Sequence, residues 1–237
     1  MVGMTGNEYL KRYIELQKKG WSGVRTSKTK RKAKYGGMWY NRYNNETEVL
    51  IAMRKNFGAQ TWMYPMPVLI VGTYDENGRP DAMNAAWGGI YETNQIMLCL
   101  SENHKTTKNI RAKGSFTVSF ATADTAVPAD YVGLVSGNNT PDKMEKSGLH
   151  AEKSTTVDAP LFQEFPMALE CKLVKFNEDG IVVGEIVNVC ADEFVLDENG
   201  KIDTDKVNPI VFDSIAHTYR KLGEKVGTAF SDGNQLK

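Results

Sequence analysis

Two short segments of this 237-residue chain hold side chains of a type and spacing that could bind an organic anion. The first, Ser101-Glu-Asn-His-Lys-Thr-Thr-Lys108, gathers hydroxyls, a histidine and two lysines at the predicted start of a helix. Free backbone N–H groups and the helix dipole favour negative charge at such a point, so a phosphate would fit. The same residues could equally form an exposed, N-capped helix whose threonines and lysines face water. The second, Asn84-Ala-Ala-Trp-Gly-Gly89, ends a strand with small residues beside an aromatic. Small side chains let a planar ligand approach the backbone, and they also relieve crowding at a barrel bend, so this segment alone is open to both readings.

Other kinds of chemistry lack their residues. His104, His150 and His217 are far apart, and there is no GxSxG elbow, HExxH pair or carboxylate-rich metal loop. Neither GxGxxG nor a P-loop occurs, so a Rossmann or NTPase reading has no phosphate-binding turn. Cys99, Cys171 and Cys190 form no CxxC pair and no zinc-like cluster, which predicts a reducing, cytoplasmic setting. All three lie in apolar or alternating stretches such as IMLCLS and IVNVCA, where a thiol is expected to fill a core.

Bulk charge narrows the partners. Lysine plus arginine equals aspartate plus glutamate at 29 each, so no global field favours nucleic acid or an anionic membrane. No apolar run approaches a membrane span, and the first residues lack a signal-peptide core. With 41% hydrophobic residues the chain has enough apolar material for a real core. A soluble protein without nucleic-acid or membrane partners is the expectation.

The elements that would position the two segments follow from periodicity and turn signals. Composition changes near residue 50: before it, Arg25 to Lys34 packs six basic side chains into ten residues and should stay solvated. Residues 1–52 therefore read as a basic, flexible extension with a short helix over 8–18, and residues 53–237 as the folded domain. Val68 to Tyr74 is a β-branched strand, Asp75-Glu-Asn-Gly78 a turn, and Asp81 to Trp87 the returning strand. After a break at Gly88-Gly89 come strands at Ile96–Leu100 and Phe116–Phe120, joined by a helix from Asn103 to Lys113 that stops at Gly114. A second helix is predicted over Pro141 to Lys146, and a second hairpin pairs Ala168–Phe176 with Ile181–Val189. Many strands and few helices argue for an antiparallel barrel rather than a parallel α/β sheet.

Taken in order, these segments resemble a known family. Pro67-Val-Leu-Ile-Val-Gly-Thr-Tyr-Asp-Glu-Asn-Gly-Arg-Pro-Asp-Ala-Met-Asn-Ala-Ala-Trp87, His104-Lys-Thr-Thr-Lys-Asn-Ile110, Gly114-Ser-Phe-Thr-Val-Ser119 and Asp130-Tyr-Val-Gly-Leu-Val-Ser-Gly137 resemble the flavin reductase-like, flavoredoxin-type family. The likeness continues at Asp142-Lys143, Gly148-Leu149 and His217-Thr-Tyr-Arg-Lys-Leu-Gly223. It implies a mainly β fold with short helices, the antiparallel Greek-key FMN-binding split β-barrel, working as a homodimer with FMN near the subunit interface. Carried over by position, Asn84, Ala85, Ala86 and Trp87 would line the isoalloxazine, largely through backbone groups. Ser101, His104, Lys105, Thr106 and Thr107 would hold the ribityl phosphate, with Ser119, the Asp130–Gly133 loop and Tyr219 as further candidates.

The resemblance also implies an FMN-binding oxidoreductase that passes electrons from NAD(P)H through FMN to a small-molecule or protein acceptor. Two alternatives stay open: a flavoredoxin-like electron carrier without nicotinamide activity of its own, and a non-enzymatic flavin-binding protein. All three explain the lack of an acid–base triad, because the cofactor would carry the chemistry.

Overall fold

In a computed structural model the described residues are 33–35, 38–43, 46–51, 55–177 and 180–237. The chain divides into two compact units, residues 1–60 and 61–237. In the first, strands β1 (Ala33–Tyr35), β2 (Met38–Tyr43) and β3 (Glu46–Ile51) pair antiparallel in that order. The helix expected over 8–18 and most of the basic run lie outside the described residues.

The second unit is built on strands. A short β4 (Met66–Pro67) leads into β5 (Leu69–Tyr74), which the tight turn at 75–78 folds back onto β6 (Pro80–Ala85). That turn forms because Asp75 Oδ1 accepts from the N–H groups of both Asn77 and Arg79, each at 2.9 Å, while Gly78 takes φ 77°. Then come β7 (Gly88–Glu92), β8 (Gln95–Cys99) and β9 (Ser115–Phe120), the last two joined by helix α1 (Lys105–Lys113). Helix α1 stops where Gly114 adopts φ 67° and returns its N–H to Ile110 O.

After β9 follow α2 (Ala126–Leu134), α3 (Lys143–Ser147), β10 (Ala151–Lys153) and β11 (Pro160–Phe162). The long hairpin of β12 (Met167–Phe176) and β13 (Ile181–Ala191) comes next, and α4 (Thr204–Val207), β14 (Ile210–Asp213) and β15 (Thr218–Lys221) close the unit. The main sheet has seven antiparallel strands in the order β6-β5-β9-β12-β13-β8-β7, and its non-sequential neighbours make it a curled half-barrel rather than a meander. The fold is mainly β with short helices, as the patterning implied.

Alternation along the strands separates two cores. Leu69, Val71, Leu98, Phe116, Val118 and Val182 point to one face, where Ile110 of α1 joins them. Val68, Ile70 and Ala82 point to the other, where they meet Ala129 and Val132 of α2 with Leu149 and Phe162. A sheet buried on both faces needs such a cover, and the short helices supply it.

Two local expectations are corrected. Gly88-Gly89 does not break the chain but begins β7, since Gly88 fits where a Cβ would lie 2.7 Å from Leu98 Cδ2. The stretch Asp130–Gly133 is not a loop but part of α2. Pro128 falls in the first turn of that helix, where a missing N–H breaks no intrahelical bond.

Candidate functional site

An open cleft of about 380 Å³ lies in the second unit, within the size range of small-ligand and cofactor sites. One wall is the end of β6 and its continuation, Asn84, Ala85, Ala86 and Trp87. Asp130, Gly133 and Leu134 of helix α2 also line it, as does His104 at the start of α1. Of the residues singled out in the sequence, these four wall residues share the cleft with His104, with Asp130 and Gly133 of the 130–133 segment, and with Tyr219.

The opposing walls are fixed by specific contacts. Asn84 Nδ2 donates to Ala129 O of α2 at 3.0 Å. A Cβ on Gly133 would lie 3.0 Å from that of Asn84, so a glycine lets helix and strand approach. From β15, the Tyr219 hydroxyl donates to Asp130 Oδ1 at 2.7 Å. Burial and this carboxylate partner push the Tyr219 phenol up to about 12, which keeps it a hydrogen-bond donor at ordinary pH.

The start of α1 suits an anion. His104 is its N-cap, with extended backbone (φ −64°, ψ 141°) and no capping hydrogen bond from its side chain. No acidic residue stands in the first turn, whereas Arg111 and Lys113 stand in the last, so the positive end of the dipole lacks a side-chain counterion within the helix. The backbone N–H groups of Lys105, Thr106 and Thr107 have no carbonyl four residues back within the helix.

The remaining candidates do not line the cleft, and each has a distinct place. Ser101 is exposed in the turn before α1, where His104 N–H donates to its carbonyl at 3.2 Å. Lys105 is half-buried, with Nζ 3.5 Å from Asp75 Oδ2. Thr106 is buried and its hydroxyl donates to Asp81 Oδ2 at 2.6 Å, so that hydroxyl is already engaged. Thr107 Oγ1 and Ser119 Oγ are buried without a hydrogen-bond partner among the described residues. An orphaned hydroxyl in the first turn of α1 is what an anion at that helix start would satisfy. Ser119 is flanked in the sheet by Ile70 and Ala168, and nothing in the structure connects it to the cleft.

Several residues of the site were not singled out beforehand. Cys99 was expected in a core but is exposed and lines the cleft. Strict alternation along β8 carried the signal, for Ile96 and Leu98 face inward and Cys99 therefore faces out. Cys190 is half-buried, while Cys171 is the true core cysteine, its thiol pushed up to about 12 by burial and by neighbouring Glu170. Phe212 of β14 also reaches the cleft. Beneath α1, Asp81 pairs with Lys143 at 3.5 Å, both almost fully buried. Burial pulls the Lys143 ammonium below the usual lysine range, with the Asp81 carboxylate opposing it.

The second unit is thus a curled antiparallel half-barrel whose open cleft is walled by the end of β6 and by α2 and reaches His104 at the start of α1. Residues 61–213 match the flavin reductase like domain, and the chain belongs to that family. It is similar to the flavoredoxin of Desulfovibrio vulgaris (Miyazaki F), with 40% identity, a TM-score of 0.74, and coverage of 76% of this chain and 100% of that one. A flavoredoxin from Methanosarcina acetivorans matches with 27% identity and a TM-score of 0.72, over 78% of this chain and 100% of that one. A protein described as a flavin reductase with a split barrel domain, from Shewanella frigidimarina NCIMB 400, matches in fold: 19% identity, TM-score 0.62, 70% of this chain and 86% of that one. The half-barrel is thus the expected split barrel. Among the described residues no helix is long and apolar enough to cross a membrane, and no group of three or more His, Cys, Asp or Glu could hold a metal ion.

Proposed function

We propose that this chain binds FMN in the cleft and passes electrons from NAD(P)H through it to an acceptor. The observation that carries this reading is the meeting, in one cleft, of the Asn84–Trp87 wall with the anion-favouring start of α1. The isoalloxazine would lie along Asn84–Trp87 in the cleft, and the phosphate would extend past His104 to the N–H groups of Lys105–Thr107 and the unpartnered Thr107 hydroxyl. When bound, FMN supplies hydride and single-electron chemistry that no side chain can supply. The chain's own residues bind and orient it: Asn84 is held against α2 by its amide, and Tyr219 and Asp130 form a polar pair at the wall. Trp87 lines the cleft while 55% exposed, and there it would limit water and acceptor access.

A second reading, an electron carrier with little nicotinamide activity, is favoured by the 40% identity to a flavoredoxin. One experiment separates the two. The protein is loaded with FMN, desalted and examined by absorbance, then given NADH and NADPH without oxygen. Retained bands near about 375 and 450 nm, a property of oxidised flavin itself, followed by bleaching support the reductase. Retention without bleaching supports the carrier, and loss of the flavin on desalting removes tight FMN binding.

The same reading includes a homodimer. Trp87, Ile90 and Leu134 are all more than half exposed beside the cleft or on the adjoining strand, and apolar groups of this size favour a covering partner. Light scattering after size exclusion tests it: a mass of one chain rejects the dimer. The three free cysteines support a reducing compartment for the protein.

A further inference from the structure

Asp81 is an acid in the wrong place for a phosphate site. It sits on β6 three residues before Asn84, and its Oδ2 accepts the Thr106 hydroxyl at 2.6 Å. A carboxylate this close to the first turn of α1 places a full negative charge beside a position that otherwise favours anions. In the low-dielectric interior that repulsion is screened only weakly.

Lys143, the first residue of α3, answers it. Its Nζ lies 3.5 Å from Asp81 Oδ1, and the two side chains are 5% and 7% exposed. The segment that delivers Lys143 is tied to the same place. A Cβ on Gly137 would lie 2.6 Å from Asp81 Oδ1 and 3.3 Å from Lys105 Cγ, so glycine lets the backbone close over both. Asn138 Nδ2 donates to Asn103 O, just ahead of α1, at 2.9 Å. Lys143 N–H in turn caps Thr140 O at 3.1 Å. A buried ion pair is a weak source of stability, so its contribution is sought in what it does to neighbouring charge and geometry.

We propose that Asp81 and Lys143 are positioning residues for the phosphate end of the cleft: Asp81 orients Thr106 and the first turn of α1, and Lys143 cancels the charge that Asp81 brings. The pair thereby sets how strongly the protein prefers a phosphorylated flavin over its unphosphorylated form. This inference rests on the reading that the start of α1 holds the FMN phosphate.

The test compares FMN with riboflavin by fluorescence titration in wild type, Lys143→Met, Asp81→Asn and the double variant, with thermal melts to confirm folding. In wild type FMN binds tighter than riboflavin; if it does not, the phosphate reading and this inference fall together. Lys143→Met leaves the Asp81 charge uncancelled and weakens FMN by at least about tenfold, a change of 1.4 kcal/mol, with riboflavin unchanged. The double variant removes both charges, keeps an acceptor for Thr106 and recovers most of the FMN affinity. Should Lys143→Met not fold, Asp81→Asn decides alone: with the Asp81 charge removed, FMN binds as in wild type or tighter. Equal loss of both ligands in Lys143→Met, no recovery in the folded double variant, or weaker FMN binding in Asp81→Asn overturns the proposal while leaving the FMN site itself standing.

Discussion

The Tyr219 hydroxyl donates to Asp130 Oδ1 across 2.7 Å, joining β15 to α2 beside the cleft. It brings together two residues 89 apart in the chain, one from the last strand of the domain and one from a helix that covers the main sheet. Replacing Tyr219 with Phe keeps the ring and removes the bond, and urea unfolding should show a loss of about 1 kcal/mol. The pH dependence has a definite sign. The folded-state value near 12 lies above the ordinary tyrosine value, so this stabilisation is whole below pH 10 and is lost as pH rises from there toward 12. The difference between wild type and Tyr219→Phe should therefore be constant from pH 7 to 9 and shrink above 10, the reference tyrosine value.

Thr107 offers a cleaner separation of binding from stability. Its hydroxyl is buried and unpartnered among the described residues, so the nearly isosteric Thr107→Val removes an unmet polar group. Urea titration of the apoprotein should show unchanged stability or a gain of up to about 1 kcal/mol. If that hydroxyl meets the phosphate, FMN binding should weaken by roughly tenfold, the equivalent of 1.4 kcal/mol. Equal FMN affinity in the two proteins would take Thr107 out of the site.

How much of this was legible in the sequence depends on whether the signal is local. Asp75-Glu-Asn-Gly78 and Gly114 announce the first hairpin and the end of α1 because their own backbone geometry makes those features. Asn84–Trp87 and His104 could be picked out since both lie at element ends, where composition changes. Helix α2 was hidden: Pro128 and Gly133 imitate loop signals, and what sustains the helix is tertiary, the burial of Ala129 and Val132 and the Asn84 amide on Ala129 O. The pairing of Asp81 with Lys143 was hidden for a related reason. A lone charge in a strand or short helix reads as outward-facing, and only the fold shows that the two neutralise each other in the interior. Thr106 and Thr107 look equivalent in sequence, yet one hydroxyl is engaged and the other is not.

Asp213, at the end of β14, is held by three hydrogen bonds. The N–H groups of Ala216 and Ile215 each donate to its Oδ1 at 3.0 Å, and Arg220 Nε donates to Oδ2 at 3.0 Å. The Ala216 N–H, then that of Ile215 and the Arg220 guanidinium, hold the carboxyl below the usual aspartate range despite an opposing desolvation. A lowered value means stabilisation that is present above the unfolded-state pKa of 3.8 and lost as pH falls through the folded-state value. Asp213→Asn should unfold at lower urea than wild type at pH 7, and the gap should close as pH drops below about 4, the ordinary aspartate range. A gap that persists at the lowest pH would mean that the carboxylate charge is not what matters.

The adjacent glycines that begin β7 provide an internal control on packing next to the cleft. A Cβ on Gly88 would lie 2.7 Å from Leu98 Cδ2, 2.9 Å from Leu69 Cδ1 and 3.0 Å from Met97 O, whereas one on Gly89 would meet nothing within 4 Å. Leu69 and Leu98 belong to the main core, and Met97 O is backbone, so neither can yield freely. Gly88→Ala should cost about 1–3 kcal/mol in urea unfolding through overpacking. Gly89→Ala has room for its methyl group and should stay within about 0.5 kcal/mol of wild type. Because Trp87 immediately precedes the crowded position, a shift of β7 should also reach the cleft wall, and Gly88→Ala should lower FMN affinity while Gly89→Ala leaves it intact. Equal stability for the two variants would show that β7 is packed less tightly against β8 than these distances indicate.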